Sequence, residues 1–471
     1  MKILIVSSEV VPFAKTGGLA DVAGALPKAL KELGHDIRVF MPRYKKVDPQ
    51  KYGLRKMSEE IWEGKIPDSE VTVYFYENEK YFGGRDELYQ VKGVDYEDNL
   101  ERFAAFCQAT PRLLKALNWT PEIIHCNDWQ SALIAAYVKL GSEPIFSRTG
   151  VVYSIHNMGY LGLFPKEKLS ATGLGWDQFS SDKLEFWGKI ALTKAGFVYA
   201  DVINTVSQTY AKEIQTEEYG HGLNGLIRHR SQDVYGIVNG LDYDVWNPAT
   251  DKNIPQRYSA GSLLGKAANK AALQKQNGLP QKKQTPVIGM ITRLADQKGL
   301  DILAGALDEI MELKCQFVVL GAGDPQYHEL LKQAKQKYPD YIGANLKFDA
   351  MLAQLIYAGS DMFLMPSRYE PCGLGQLISF KYGTVPIVRK TGGLADTVHD
   401  FISKTGEGDG FVFQEYSSAA LLDAVKRALA VYKKKALWKK LVEKVMDYDY
   451  SWGASAKHYE ALYARAMSKR A

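Results

Sequence analysis

Lys2-Ile-Leu-Ile-Val-Ser7 is an almost unbroken apolar run, and Lys15-Thr-Gly-Gly-Leu-Ala-Asp21 follows it, leading into apolar positions at helical spacing over 19–33. A run without polar alternation predicts a strand covered on both faces, the condition of a parallel sheet. Gly17 and Gly18 supply the turn, Gly34 closes the helix, and 36–40 predicts a second strand. Strands are also predicted at 71–76, 123–125, 151–155, 202–205 and 234–238, with helices over 99–117, 129–140 and 184–199 among them. Alternation of this kind means an α/β fold, a mostly parallel sheet with helices on both faces.

After Asn239 and Gly240 the pattern lapses into a polar stretch containing Pro248 and Pro255, followed by a Lys- and Ala-rich helical segment and Pro280. A domain boundary belongs there. Alternation restarts with strands predicted at 287–291, 317–320, 345–348, 362–365 and 385–388, and helices near 300–311, 327–337, 350–358 and 374–382. Two doubly wound domains in tandem put their ligands at the carboxyl ends of the strands. The heptapeptide 15–21 returns letter for letter as Lys390-Thr-Gly-Gly-Leu-Ala-Asp396, again after a predicted strand. Each copy reads either as a strand-to-helix turn that needs glycine or as an anion seat at a helix N-terminus. The charge on Lys15 favours the anion seat for the first copy; the second stays open between the two.

Of the 471 residues 46% are apolar and 24% charged, which excludes disordered and fibrous classes. No apolar run reaches the ~18 residues that a membrane span needs. Lys and Arg number 59 against 54 Asp and Glu, and the net charge of +5 is scattered. That balance suits small anions and leaves no nucleic-acid footprint. Cys107, Cys126, Cys315 and Cys372 lack zinc-site spacing and read as reduced thiols. With no secretory signal after Met1, a cytoplasmic setting is expected. No Asp-x-Asp motif stands in the candidate site segments, so no metal is expected.

Chemistry-bearing residues collect at predicted strand ends. Arg293 lies just past 287–291 and Lys298 starts the next helix, a pair suited to one pyrophosphate. A unit charge ~4 Å from a phosphate oxygen is worth about 4 kcal/mol at an effective dielectric of ~20. Two solvated surface charges are the plain alternative. Pro366-Ser-Arg-Tyr-Glu-Pro-Cys-Gly-Leu-Gly375 follows 362–365; it offers the Glu370 carboxylate and the amides of Gly373 to Gly375, although Glu370 also reads as a local partner of Arg368 and Cys372 as a core thiol. In the first half, His125-Cys-Asn-Asp-Trp129 and Ser154-Ile-His-Asn157 end strands. Trp129 reads as core or as a ring that stacks on a pyranose beside Asp128, and His156 as structural or cleft-facing.

Taken in order along the chain, Lys15 to Val22, Asp98 to Phe103, Asn127 to Trp129, Ile155 to Asn157, Val238 to Asp242, Arg293 with Lys298, and Pro366 to Leu374 resemble the bacterial glycogen synthase and plant starch synthase family. Seven segments in the family's order cover essentially the whole chain. The resemblance implies a GT-B fold of two Rossmann-like domains facing a central cleft. It implies residues 1–240 as an N-terminal acceptor-side domain, 241–447 as a C-terminal nucleotide-sugar domain, and 448–471 as a helix returning to the N-terminal domain. The implied reaction moves glucose from ADP-glucose to the non-reducing end of an α-1,4-glucan, with retention and with no cofactor besides the donor.

On that resemblance Lys15, Gly17, Gly18 and Asp21 serve the donor from the N-terminal side, and Arg293 and Lys298 clamp the leaving diphosphate. Glu370 positions the donor glucose, while Cys372, Gly373, Leu374 and Gly375 cradle sugar and phosphate. His156 lines the anomeric centre, Asn239 binds the sugar and Phe348 stacks on the base. Asn127, Asp128 and Trp129 match the acceptor side. Gly375 stands where the family commonly has Thr or Ser, and Phe348 where Tyr is common. A related transferase using UDP-glucose or another acceptor therefore remains the alternative. An NAD-dependent oxidoreductase lacks its G-x-G-x-x-G after the first strand. An inactive glucan-binding homologue is expected to have lost Lys15, Arg293, Lys298 or Glu370, and all four are present.

Overall fold

The computed structural model describes residues 1–141 and 144–470. It comprises two compact units, one made of Met1–Gly240 with Trp452–Ala471 and one of Leu241–Ser451.

In the first unit a nine-stranded sheet runs in the order Val234–Gly236, Val202–Thr205, Gly150–Ile155, Ile123–Asn127, Lys2–Val6, Asp36–Pro42, Thr72–Tyr76, Ile61–Lys65, Arg55–Lys56. Seven strands are parallel, and the last two add an antiparallel edge that the sequence pattern did not predict. Ile3, Leu4, Ile5 and Val6 are at most 1% exposed, which is why this run carries no polar alternation. Strand order reverses at Lys2–Val6, with Asp36–Pro42 on one side and Ile123–Asn127 on the other. The loops after Val6 and Asn127 therefore flank the switch point where such sheets bind ligands. Helix Gly18–Glu32 starts from an extended Gly17, with Asp21 in its first turn and Lys31 in its last, each sign matched to the helix dipole.

Helix Trp452–Ser468 belongs to this first unit, whereas residues 448–451 stay with the second. The aromatic positions of this helix are buried: the Tyr463 hydroxyl lies 2.9 Å from His125 Nδ1, and the Tyr459 hydroxyl accepts from Asn204 Nδ2.

The second unit holds six parallel strands in the order Ile342–Asn345, Gln316–Leu320, Val287–Ile291, Met362–Met365, Val385–Arg389, Phe411–Phe413. Numbered within the unit this is 3-2-1-4-5-6, the dinucleotide-fold order. Its switch point lies between Val287–Ile291 and Met362–Met365.

Three predicted elements differ. Only Leu192–Tyr199 of 184–199 is helical; Glu185–Phe186 and Lys189–Ala191 pair as a hairpin because Trp187 and Gly188 both take positive φ. The helix predicted over 129–140 begins only at Leu133, since the Ser131 hydroxyl closes an irregular turn onto the Asn127 N–H at 2.6 Å. The strand predicted at 345–348 is Ile342–Asn345. Beyond it, Asp349 caps the next helix by accepting the Leu352 N–H, and Phe348 is left 91% exposed in the turn.

Candidate active site

In the second unit the switch point gathers the predicted phosphate-handling residues. Gly299 has φ 72°, and a Cβ there would lie 2.0 Å from the Pro366 carbonyl oxygen, so a glycine brings the Lys298 turn against the end of Met362–Met365. Lys298 Nζ reaches Glu370 Oε2 at 2.7 Å, and the Ser367 hydroxyl donates to the same oxygen at 2.9 Å. Glu370 is 7% exposed, and these two donors meet its carboxylate where water does not reach. The pairing with Arg368 considered from sequence is not the one found: Arg368 reaches Asp301 at 3.0 Å. Gln297 ties the cluster together. It accepts from Arg293 Nη2 at 3.0 Å, donates to the Tyr369 carbonyl at 3.2 Å, and gives its own carbonyl to the Arg368 N–H at 2.8 Å.

The turn after Glu370 is shaped for an anion. Gly373 has φ 70° and Leu374 lies in the right-handed helical region, a succession that curves backbone N–H groups toward one point. The N–H groups of Gly373, Leu374 and Gly375 have no acceptor among the described residues. Cys372 is buried. A Cβ at Gly375 would lie 2.9 Å from the Phe363 ring and 3.2 Å from Met365 Sδ, so packing accounts for glycine at this position.

In the first unit Asn127, Asp128 and His156 come together across the neighbouring strands Ile123–Asn127 and Gly150–Ile155. Asp128 sits at φ 56°, a conformation that costs a side-chain-bearing residue roughly 1–2 kcal/mol, and its Oδ1 accepts the His156 N–H at 2.7 Å. Burial pushes its carboxyl up to about 7, opposed by that amide and reinforced by the charge of Glu9. Asn127 Nδ2 donates to the Val6 carbonyl at 3.1 Å, which turns Oδ1 toward His156 Nε2 at 3.0 Å. The Asn127 oxygen can only accept, so the network assigns the proton to Nε2 and leaves a lone pair on Nδ1. Burial holds the His156 imidazole neutral, with its pKa down to about 4.

Trp129, read from sequence as core or as a sugar-stacking ring, is packed on one side of the first unit. It is 9% exposed, edge-on to Phe103 at 5.1 Å and beside Phe164 at 5.6 Å, with its ring 2.8 Å from where a Cβ of Gly162 would stand. Lys15 pairs with Asp21 at 2.7 Å on the surface. Of the two glycine amides in this loop, Gly17 N–H is already given to Glu9 Oε2 at 3.2 Å, while Gly18 opens the helix. Glu9 also accepts from the Thr16 N–H, from the Thr16 hydroxyl at 2.5 Å and from the Tyr89 hydroxyl at 2.8 Å. Asn239 is 5% exposed, and its Oδ1 has no partner among the described residues. Sequence reasoning missed Glu9, Gln297 and Ser367. The available signal was an acidic residue in the apolar-flanked loop before the heptapeptide, and polar neighbours of the flagged Lys298 and Glu370.

Comparison with known proteins agrees with this geometry. A starch synthase catalytic domain family matches residues 2–229, and glycosyl transferases group 1 matches residues 271–445. The chain is 48% identical to a glycogen synthase of Geotalea daltonii, with all of both chains covered. It is also 48% identical to one of Thermotoga maritima, covering all of this chain and 99% of the relative. The solved catalytic domain of starch synthase IV from Arabidopsis thaliana, bound to ADP and acarbose, superposes with a TM-score of 0.90 at 35% identity, over 99% of each chain. The parallel sheets, the clustered cations and carboxylate, and these full-length matches converge: the chain belongs to the glycogen synthase and starch synthase family of glucosyltransferases, built on the GT-B fold.

Proposed function

We propose that this enzyme transfers glucose from ADP-glucose to the non-reducing end of an α-1,4-glucan with retention at the anomeric carbon. The observation that carries this reading is the Lys298–Glu370–Ser367 cluster beside the open amides of Gly373 to Gly375. The ADP and acarbose held by the plant relative support it. Arg293 and Lys298 take up the charge of the departing diphosphate. An arriving diphosphate draws Lys298 away from Glu370, and the freed carboxylate receives hydroxyls of the donor glucose. Cys372, Gly373, Leu374 and Gly375 hold phosphate and sugar through their backbone, and the exposed Phe348 ring stacks on the base.

From the first unit, Lys15 and the Gly18 amide meet negative charge, while Asp21 and the Gly17–Glu9 contact hold their loop. His156 presents its Nδ1 lone pair to a sugar hydroxyl, and the Asn239 oxygen accepts another. Asn127 fixes the His156 tautomer, and Asp128 meets the acceptor. The anomeric carbon loses its bond to the phosphate oxygen and gains one to the acceptor hydroxyl oxygen on the same face. The hydroxyl proton passes to the departing phosphate. No side chain attacks the sugar, so the rate comes from positioning and charge stabilisation. Side-chain cations and amides carry the diphosphate without a metal, and EDTA is expected to leave activity intact. Four buried free cysteines suit work in a reducing cytoplasm.

Incubation with ADP-glucose or UDP-glucose plus glycogen, followed by assay of the released nucleotide, tests the donor. ADP should dominate; a dominant UDP signal overturns this reading.

A further inference from the structure

Gln376 is fully buried and takes no part in the chemistry above. Its Nε2 lies 3.2 Å from the Cys372 carbonyl oxygen, 2.8 Å from that of Gly373 and 3.1 Å from Thr397 Oγ1. Thr397, 1% exposed, passes its own hydroxyl proton to the Gly393 carbonyl at 2.7 Å, which leaves its oxygen free to accept from Gln376. Gly393 closes the ring: its N–H reaches the carbonyls of Glu370 and Pro371, each at 3.1 Å. The 370–376 segment is thus tied to the helix Gly392–Thr397, which starts within the second copy of the heptapeptide and ends one residue past it.

The direction of these bonds matters more than their number. A trans peptide unit points its C=O and N–H to opposite sides. With one Nε2–H shared between the carbonyls of Cys372 and Gly373 and the other given to Thr397 Oγ1, the N–H groups of Gly373 and Leu374 must both face away from Gln376, on the side open to a ligand. Glycine suits this turn because Gly373 has φ 70°, and its bare Cα also leaves room for Gln376 Oε1, 2.5 Å from where a Cβ would stand. That oxygen is itself buried without a partner. A hydrocarbon side chain of similar volume would remove that orphan oxygen but strand the carbonyls of Cys372 and Gly373, so the amide is kept for the carbonyls it orients.

We propose that Gln376 and Thr397 are positioning residues for the donor: they fix the peptide planes of 372–374 so that two amides converge on a phosphate oxygen. The second heptapeptide is then the seat of this turn. This rests on the reading that the donor diphosphate lies at Gly373 to Gly375.

Three variants test it: Gln376→Met, Thr397→Val, which keeps shape but loses the hydroxyl, and Thr397→Ser, which keeps the hydroxyl. ADP affinity by calorimetry is measured beside kcat, KM for ADP-glucose, KM for glycogen and Tm. Gln376→Met should weaken ADP binding and raise the donor KM by about tenfold, the scale of one charge-assisted hydrogen bond, with KM for glycogen changed less than about twofold. Thr397→Val should shift the same way by about threefold, with Thr397→Ser restoring wild-type values. Equal losses for donor and glycogen, or ADP affinity unchanged in folded Gln376→Met, overturn the proposal. If Gln376→Met does not fold, the Val and Ser pair decides: no difference between them overturns it. A wild-type chain that binds UDP and not ADP corrects the donor reading instead, and the variants are then judged by UDP, which carries the same diphosphate.

Discussion

The two copies of Lys-Thr-Gly-Gly-Leu-Ala-Asp have the same letters and opposite surroundings. At Gly17 and Gly18 an added Cβ would meet nothing within 4 Å. At Gly392 it would stand 1.9 Å from the Glu370 carbonyl oxygen, and at Gly393 1.9 Å from that of Cys372. The first copy opens the fifteen-residue helix Gly18–Glu32 and leaves Lys15 and Asp21 paired at the surface. The second opens the six-residue helix Gly392–Thr397, whose two glycines are both buried. Glycine keeps one surface clear and lets two backbones touch in the other. A motif's letters fix its local turn; its neighbours decide what the turn is for.

The comparison is broken most directly by adding one methyl group to each copy. Gly393→Ala should cost about 3 kcal/mol or more in denaturant unfolding, because the overlap is with backbone and no rotamer relieves it. Gly17→Ala, at an extended backbone position facing open space, should stay within about 0.5 kcal/mol. Equal costs would erase the distinction. Next in size is Lys298→Ala, which removes the ammonium that reaches the Glu370 carboxylate on the segment that the second copy touches. It should lower kcat by about a hundredfold, near 2.7 kcal/mol, with much less change in glycogen affinity. A fall confined to glycogen binding would move the cation away from the leaving group.

A pH experiment sharpens the difference in the first unit. His156 titrates near 4 in the folded chain, against its ordinary 6.5, so the unfolded chain binds a proton that the folded one refuses. Stability should therefore fall as pH drops from about 6.5 toward 4, by on the order of 2 kcal/mol from this group. His125, lowered by burial to about 3, adds to the loss; Asp128, raised to about 7, opposes it, because its folded form takes up a proton more readily. Unfolding of His156→Gln should show a shallower slope over that window; an unchanged slope removes His156 from the account. Smallest in stability is Lys15→Ala. Its pair with Asp21 is half exposed and should contribute less than about 0.5 kcal/mol, while KM for ADP-glucose rises severalfold.

Much of this was legible in advance, and the reasons are physical. Strands buried on both faces write themselves as apolar runs, so Lys2–Val6, Val287–Ile291 and Met362–Met365 were found within a residue of their ends. Strand-end placement then drew attention to Arg293, Lys298, Glu370 and His156, which the structure puts just past Val287–Ile291, Met362–Met365 and Gly150–Ile155. Long-range side-chain geometry was not legible. The proton on His156 Nε2 depends on which way Asn127 turns, and that depends on the Val6 carbonyl 121 positions away. Trp129 and Asp128 are adjacent in sequence, yet the left-handed backbone at Asp128 sends the indole toward Phe103 and Phe164. The hairpin at 185–191 escaped because Trp187 takes a positive φ, which a large side chain rarely signals.

Helix Trp452–Ser468 has a consequence for biosynthesis. It completes a unit whose other residues emerge from the ribosome first, and Leu241–Ser451 is translated in between as one continuous segment. The middle of the chain can therefore finish folding before the beginning can. Until the closing helix arrives, His125 and Asn204 wait without the tyrosine hydroxyls that meet them in the finished enzyme, and the first unit stays incomplete for as long as Leu241–Ser451 is being synthesised.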